Sequence, residues 1–159
     1  MSNEMRRKDR ALSHEEAIAV LERGEYGILA TVDADGQPYT TPLSYMVMNG
    51  KVYFHCALKG QKLDNIAANP AVSFCVVGPT EPVYDNGFST YYESCIVSGK
   101  VAKVTDEKER HESFLVLAKK YLPEFMDKAE DAIAKTGKAS LVFTISLDRV
   151  TGKSKRRKG

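Results

Sequence analysis

Two dipeptides, Asp35-Gly36 and Asn49-Gly50, constrain the fold of this chain more than any other feature. Each separates runs of β-branched and aromatic residues. A two-residue turn that matches the twist of its flanking strands needs positive φ, which Gly adopts freely and Asn or Asp tolerate. Residues 26–32, about 38–47 and 51–57 therefore read as three consecutive strands of an antiparallel meander. This is not the βαβ pattern of a parallel sheet, and no G-x-G-x-x-G follows a strand, so a Rossmann architecture is disfavoured.

The rest of the chain extends this pattern. Ser13-His14-Glu15-Glu16 has the form of a capping box that opens a helix running to about Arg23 and stopping at Gly24, with Ala17, Val20 and Leu21 as its apolar stripe. A short helix over 61–68 ends before Asn69-Pro70. A fourth strand covers 71–77. Residues 78–89, rich in Gly, Pro, Asn and Asp, read as a long loop. A fifth strand spans about 91–104, and Asp106 with Glu109 starts a helix that turns Phe114, Leu117, Ala118 and Tyr121 inward. A further helix over about 124–135 and a sixth strand over 139–147 complete the series. The expected fold is mainly β with flanking helices, a small closed antiparallel barrel of six strands. Closure removes exposed edges, and a barrel this narrow fills its own interior. A bulky ligand must then lie outside it, against a wall or between subunits.

Charge is distributed unevenly. The formal net charge of +2 conceals basic residues at both ends: Arg6, Arg7, Lys8 and Arg10, then Lys153, Lys155, Arg156, Arg157 and Lys158. Without residues 6–10 and 153–158, 14 basic residues face 20 acidic ones, and the body carries −6. Such ends suit an anionic partner, or are a solvated, frayed terminus, the reading preferred for Lys155 to Lys158. The chain divides into a single domain over 1–150 and a basic tail over 151–159. The charged start MSNEMRRKDR lacks the apolar segment of a secretory signal, and a cytoplasmic location is expected. Cys56, Cys75 and Cys95 lie in apolar runs without Cys-x-x-Cys spacing and read as packed, reduced thiols. His14, His55 and His111 lack ligand spacing, so no metal site is expected. His111, in the middle of a helix among charges, reads as solvated.

The chemistry concentrates in residues 38–70. A strand ends in Phe54-His55-Cys56-Ala57, and Lys59-Gly60-Gln61-Lys62 then opens a helix. Free amides at a helix start attract phosphate, and a lysine in that turn adds full charge. Several stretches in order carry a family likeness: Met5–Arg10, Gly27–Val32, Pro42-Leu43-Ser44-Tyr45, Val52–Ala57, Gly60–Ile66 with Asn69-Pro70, Tyr91-Tyr92-Glu93-Ser94, Ser98-Gly99-Lys100 and Val150–Lys153. On these the chain resembles the FMN-binding split-barrel superfamily of pyridoxamine 5'-phosphate oxidase-like proteins, and within it the nitroimidazole-resistance (Nim-type) branch.

That resemblance implies a split β-barrel homodimer holding FMN at the subunit interface, and an FMN-dependent oxidoreductase that reduces small acceptors such as nitroimidazoles. It places Pro42, Leu43 and Ser44 at the isoalloxazine edge, and His55, Cys56 and Ala57 along the ring and ribityl chain. It puts Gln61 and Lys62 on the phosphate with Asn65 nearby, and brings Tyr92 and Ser94 from a neighbouring strand or the partner subunit. Many relatives carry His where this chain has Gln61, which keeps a donor but loses a possible charge. His55 has two readings, a catalytic proton donor beside the flavin or a structural histidine that orients the cofactor or fills the barrel edge. The alternative function is a non-catalytic flavin- or haem-binding module, a sensor or store, with deazaflavin a related possibility. A true pyridoxamine phosphate oxidase is less favoured, because that activity needs further basic residues for a second phosphate. A nucleic-acid protein would rest on the basic tail alone.

Overall fold

The computed structural model describes residues 4–84 and 86–156. A single turn of 3-10 helix, Lys8–Arg10, leads into α1, His14–Arg23. Ser13 caps α1 as expected: Glu16 N–H donates to Ser13 Oγ at 3.2 Å, and Ser13 N–H donates to Glu16 Oε2 at 2.9 Å. Strand β1, Gly27–Val32, returns through the turn at Gly36, where φ is +83°, into β2, Pro38–Leu43. The second turn, with φ +52° at Asn49 and +67° at Gly50, joins β3, Met46–Met48, to β4, Lys51–Cys56. Then follow α2 (Gln61–Ala68), β5 (Ala71–Val77), β6 (Glu81–Tyr84) and the 16-residue β7 (Phe88–Lys103). Helix α3 (Glu107–Tyr121), a 3-10 segment Pro123–Lys128, α4 (Ala129–Thr136), β8 (Leu141–Ser146) and β9 (Arg149–Lys155) complete the chain.

All ladders are antiparallel, in the order β2-β1-β5-β7-β8-β4-β3, with β6 and β9 added on β7. The two ends of this path, β2 and β3, are joined covalently through Ser44 and Tyr45 and not by a ladder. The cylinder is split there. The single strand expected over 38–47 breaks at this point because Tyr45 turns inward. Its side chain is fully buried, its hydroxyl donates to Leu21 C=O, and its N–H donates to Tyr121 Oη at 3.1 Å. A backbone amide satisfied by a tyrosine hydroxyl leaves the sheet at no hydrogen-bonding loss.

Other boundaries also differ from expectation. Residues 78–89 are no long loop: β6 pairs with the start of β7 from Glu81↔Tyr91 to Tyr84↔Phe88, with φ +50° at Asn86 and +152° at Gly87 in the turn. The expected helix over 124–135 is interrupted by non-helical Phe125, and its regular part begins at Ala129. The chain does not fray at 151. Strand β9 runs through the expected boundary at 150 and pairs with β7 from Tyr92↔Lys155 to Ser98↔Arg149. Arg157 and Lys158 lie outside the described residues. Among the described residues nine strand segments stand where six were expected, within the same mainly β architecture.

The barrel interior is filled by Leu29, Val52, Phe54, Phe74, Val97 and Ile145 among others, and α1 closes it with Ala17, Val20 and Leu21. A second cluster lies outside the wall, where Met46, Tyr53, Val104 and Val142 pack under Phe114 and Leu117 of α3. Strand β4 therefore faces two apolar layers. Val52, Phe54 and Cys56 point into the barrel, and Tyr53 and His55 point toward α3. Strands β7 and β8 approach closely at Gly99, where a Cβ would lie 1.8 Å from Ser146 C=O. Among the described residues no helix is long and apolar enough to cross a membrane.

Candidate flavin site

Strand β4 ends at Cys56, and four exposed residues carry the chain to α2. Gly60 has φ +146° and ψ 158°, a conformation essentially restricted to glycine. It aims the start of α2 outward. No side chain caps that start, while Leu63 N–H (2.9 Å) and Asp64 N–H (3.4 Å) already reach Gly60 C=O. Lys62 is half-buried in this first turn, close enough to Cys56 to pull its thiol down against the larger effect of burial, which raises it. An uncapped helix start beside an ammonium group is suited to a phosphate.

Pro42, Ser44, Ala57 and Gln61 are exposed around this corner, and Leu43 is half-buried against the core. Ser44 lies at the split, two residues before Met46, which pairs with Tyr53 of β4. The Met46–Tyr53 pairing directs Ser44 toward the end of β4, from which the chain runs through Ala57 to Gln61 and Lys62. Thr41, on the adjoining strand, keeps a buried hydroxyl oxygen without a hydrogen-bond partner among the described residues. Exposed apolar and hydroxyl groups leading to an uncapped helix start fit a tricyclic phosphate ester such as a flavin nucleotide.

Five expected site residues, Asn65, Cys56, His55, Tyr92 and Ser94, are placed differently. Asn65 is 3% exposed, and its Nδ2 donates to Thr31 Oγ1 at 3.0 Å. It anchors α2 to β1 and does not present its amide at the phosphate corner. Cys56 lines the barrel interior, so only its backbone reaches the corner. Burial raises all three thiols, Cys95 to about 11, and all are free.

His55 faces α3. Its ring lies 4.1 Å from that of Phe114, and Nε2 is 3.2 Å from Ser113 Oγ. Ser113 Oγ donates to Arg110 C=O at 2.6 Å, so it accepts from His55 Nε2–H, and the imidazole is the Nε2–H tautomer. Burial first, and then the Arg110 charge, push its pKa down to about 4. At neutral pH this histidine is uncharged and packed. The ring is turned onto Phe114 and Ser113 of α3, the placement that the structural reading of His55 describes. The signal that could have separated the two was the alternation of β4, which puts His55 on the face of Tyr53 and opposite Phe54.

Tyr92 and Ser94 stand elsewhere. The ladder rows Pro42↔Ile28, Ile28↔Cys75 and Cys75↔Ile96 place this part of β7 three strand spacings from β2, about 14 Å around a curved wall. A neighbouring strand of the same chain does not bring them to the corner. Partial burial raises the Tyr92 phenol, but hydrogen bonds from Arg10 and Lys153 outweigh it and hold the group below its ordinary range. His111, expected to be solvated, is partly exposed and 3.1 Å from Glu130.

The architecture is that of a split antiparallel barrel. The pyridoxamine 5'-phosphate oxidase family profile matches residues 13–154, and the chain belongs to this family. No curated protein matches it in sequence. Among solved structures, the flavocytochrome Anf3 of Azotobacter vinelandii is similar over 98% of this chain and 73% of that one, with a TM-score of 0.84 and 18% identity. An FAD- and haem-binding protein of Mycobacterium smegmatis is similar over 91% and 72%, with a TM-score of 0.78 and 18% identity. A candidate 5-nitroimidazole antibiotic resistance protein of Bacteroides thetaiotaomicron is similar over 91% and 86%, with a TM-score of 0.75 and 19% identity.

Proposed function

We propose that the chain is an FMN-binding oxidoreductase acting as a homodimer on small acceptors such as nitroaromatic compounds. The observation that carries this reading is the corner at Gly60, where a helix start without a side-chain cap and Lys62 meet the end of β4. A bound flavin supplies reversible electron transfer to an acceptor. The chain's own part is to hold the phosphate with the first-turn amides of α2 and the Lys62 ammonium. Pro42, Leu43 and Ser44 then orient the ring edge at the split.

A second copy of the chain suits this arrangement. Val77 (52% exposed) and Ile96 (45% exposed) leave apolar surface on the β5–β7 wall, next to Tyr92 and Ser94. Laying that wall against the corner of another copy would exclude water from the ring and bring the two sets of expected residues together. A two-fold axis would then build two equal sites.

The neutral, packed state of His55 favours a second reading, a flavin or haem holder without turnover, because His55 then supplies no proton at neutral pH. Titration of the purified protein with FMN, followed by absorbance, tests the binding claim. Replacing Lys62 by Gln is expected to weaken FMN binding by about tenfold or more, since a charge-assisted phosphate contact is lost. Failure of the wild-type protein to bind flavin refutes both the cofactor and the enzyme. Reduced, flavin-loaded protein that is not reoxidised by a nitroimidazole leaves only the holder.

A further inference from the structure

The two basic ends of the chain, some 140 residues apart in sequence, are laid side by side by the fold. Ala11 forms a β-bridge with Lys153, and Leu12 N–H donates to Gly152 C=O at 3.0 Å. Arg7 and Arg10 from the start therefore stand beside Lys153, Lys155 and Arg156 from the end. The body they sit on carries −6. Carboxylate pairs here include Arg7 with Asp9, at 2.5 Å, and Arg156 with Glu16, at 3.4 Å. Arg10 and Lys153 meet the Tyr92 hydroxyl, and Lys155 reaches Ser89 Oγ and stands 5.8 Å from the centre of the Tyr91 ring. Five cations stand against four carboxylates, Asp9, Glu16, Glu81 and Glu93, the last of them also paired with Arg23, and the patch stays net positive.

The patch is concave. Two hollows, of about 450 Å³ and 350 Å³, share Tyr91, Lys155 and Arg156 as a common ridge. The larger adds Arg7, Arg10 and Asp9 and is the one with a net positive lining. The smaller adds Pro79 and Thr80, with the stem of Tyr92, and offers flat uncharged surface beside its carboxylates Glu81 and Glu93. Glu93 is itself paired with Arg23 at 2.6 Å. A cationic hollow joined through an aromatic ridge to a less charged one matches a ligand with a condensed anionic group at one end and a ring at the other. Hollows of this size suit a small molecule. A nucleic acid or a membrane would instead need a broad continuous face.

We propose that this cleft binds the nucleoside diphosphate group of a nucleotide, with the pyrophosphate among Arg7, Arg10 and Lys155 and the nucleoside against Tyr91. The claim does not depend on flavin binding at the Gly60 corner. The ADP half of an FAD and the ADP half of a nicotinamide dinucleotide carry the same chemistry, and either can be the natural source.

The test is isothermal titration of the full-length protein with ADP. Saturable binding is expected, weakened by added salt, with AMP weaker than ADP and inorganic pyrophosphate weaker than ADP. The paired substitution Lys153→Gln and Lys155→Gln, checked for intact folding by circular dichroism, is expected to weaken ADP binding by about tenfold or more. Tyr91→Ala is expected to weaken ADP and to leave pyrophosphate unchanged. Absence of saturable ADP binding by the wild-type protein, or unchanged binding by the folded double variant, overturns the proposal. Tighter binding of a short single-stranded oligonucleotide than of ADP overturns it as well. Loss of FAD affinity with FMN affinity unchanged in the double variant assigns the cleft to a flavin dinucleotide, and loss of NADPH affinity assigns it to the electron donor. If ADP binds and FMN does not, the cleft stands and the flavin corner falls.

Discussion

His55 offers a direct measurement of how the outer layer of the fold is built. Its pKa is about 4 in the folded chain against an ordinary value of 6.5, because burial under α3 and the nearby Arg110 charge disfavour the imidazolium. The unfolded chain therefore binds a proton at a pH where the folded chain does not. Stability from this group is complete above about pH 6.5 and is lost as pH falls toward 4. The linkage amounts to about 1.4 kcal/mol lost at pH 5.5 and about 2.5 kcal/mol at pH 4.5, as order-of-magnitude figures. The perturbation is His55→Gln, which keeps a donor for Ser113 Oγ but does not titrate. Urea unfolding of both proteins near pH 7.5, 5.5 and 4.5 isolates the effect. Carboxylate titrations are common to both and cancel in the difference. The wild type should lose more stability than the variant between the first and last pH, by about the amount given above. Parallel stability curves, or an NMR titration midpoint of His55 near 6.5, would refute the burial argument and restore this residue as a proton donor at neutral pH.

Two further substitutions probe the same scaffold. Gly99→Ala places a Cβ 1.8 Å from Ser146 C=O at the β7–β8 crossing, so the strands must separate; a loss of about 3 kcal/mol or more is expected, and a melting temperature within about 2 °C of wild type would contradict the close approach. Lys120 Nζ is buried without a hydrogen-bond partner among the described residues, and burial lowers its pKa to about 8 from 10.5. Relative to Lys120→Met, the wild type should gain stability as pH rises from about 8 to 10.5, because there only the unfolded chain holds the proton. The ammonium also lies 3.8 Å from the centre of the Tyr45 ring, an attraction that favours the charged form. A variant less stable than wild type by more than about 1 kcal/mol at pH 7 would show that this contact outweighs desolvation.

Turn chemistry made the meander legible in sequence. Gly36, Asn49 and Gly50 all adopt the positive φ that their dipeptides predict. The Ser13 capping box and the Ala17–Val20–Leu21 stripe were equally local, and both are present. What was not legible depends on distant partners. The break at Ser44–Tyr45 exists because Tyr121, 76 residues away, takes the Tyr45 amide. Strand β9 is a basic, polar run, Arg149–Lys155, that looks like a tail in sequence. It becomes a strand because β7 is long enough to offer a second edge, and because Gly152 lets α1 approach closely, with Ala17 Cβ 2.7 Å from where a side chain would start.

The same distinction governs the site. The turn at Gly60 and the helix start at Gln61 are local features, legible from one glycine and the residues that follow it. Asn65 and His55 lie on elements that sequence reasoning recognised, and what it did not fix is the face from which each side chain leaves its element. On a helix starting at Gln61, Asn65 is one turn past the phosphate corner and falls on the face that meets Thr31 of β1. On β4, alternation puts His55 with Tyr53 and not with Phe54, and a helix that begins at Glu107 covers it. A strand next to a ligand is thus a weaker guide than the face from which each side chain leaves it. By that criterion the outward residues of β7, Tyr92 and Ser94, belong to the wall that Arg10 and Lys153 already occupy. A flavin at the Gly60 corner can meet them only when a second chain brings that wall across.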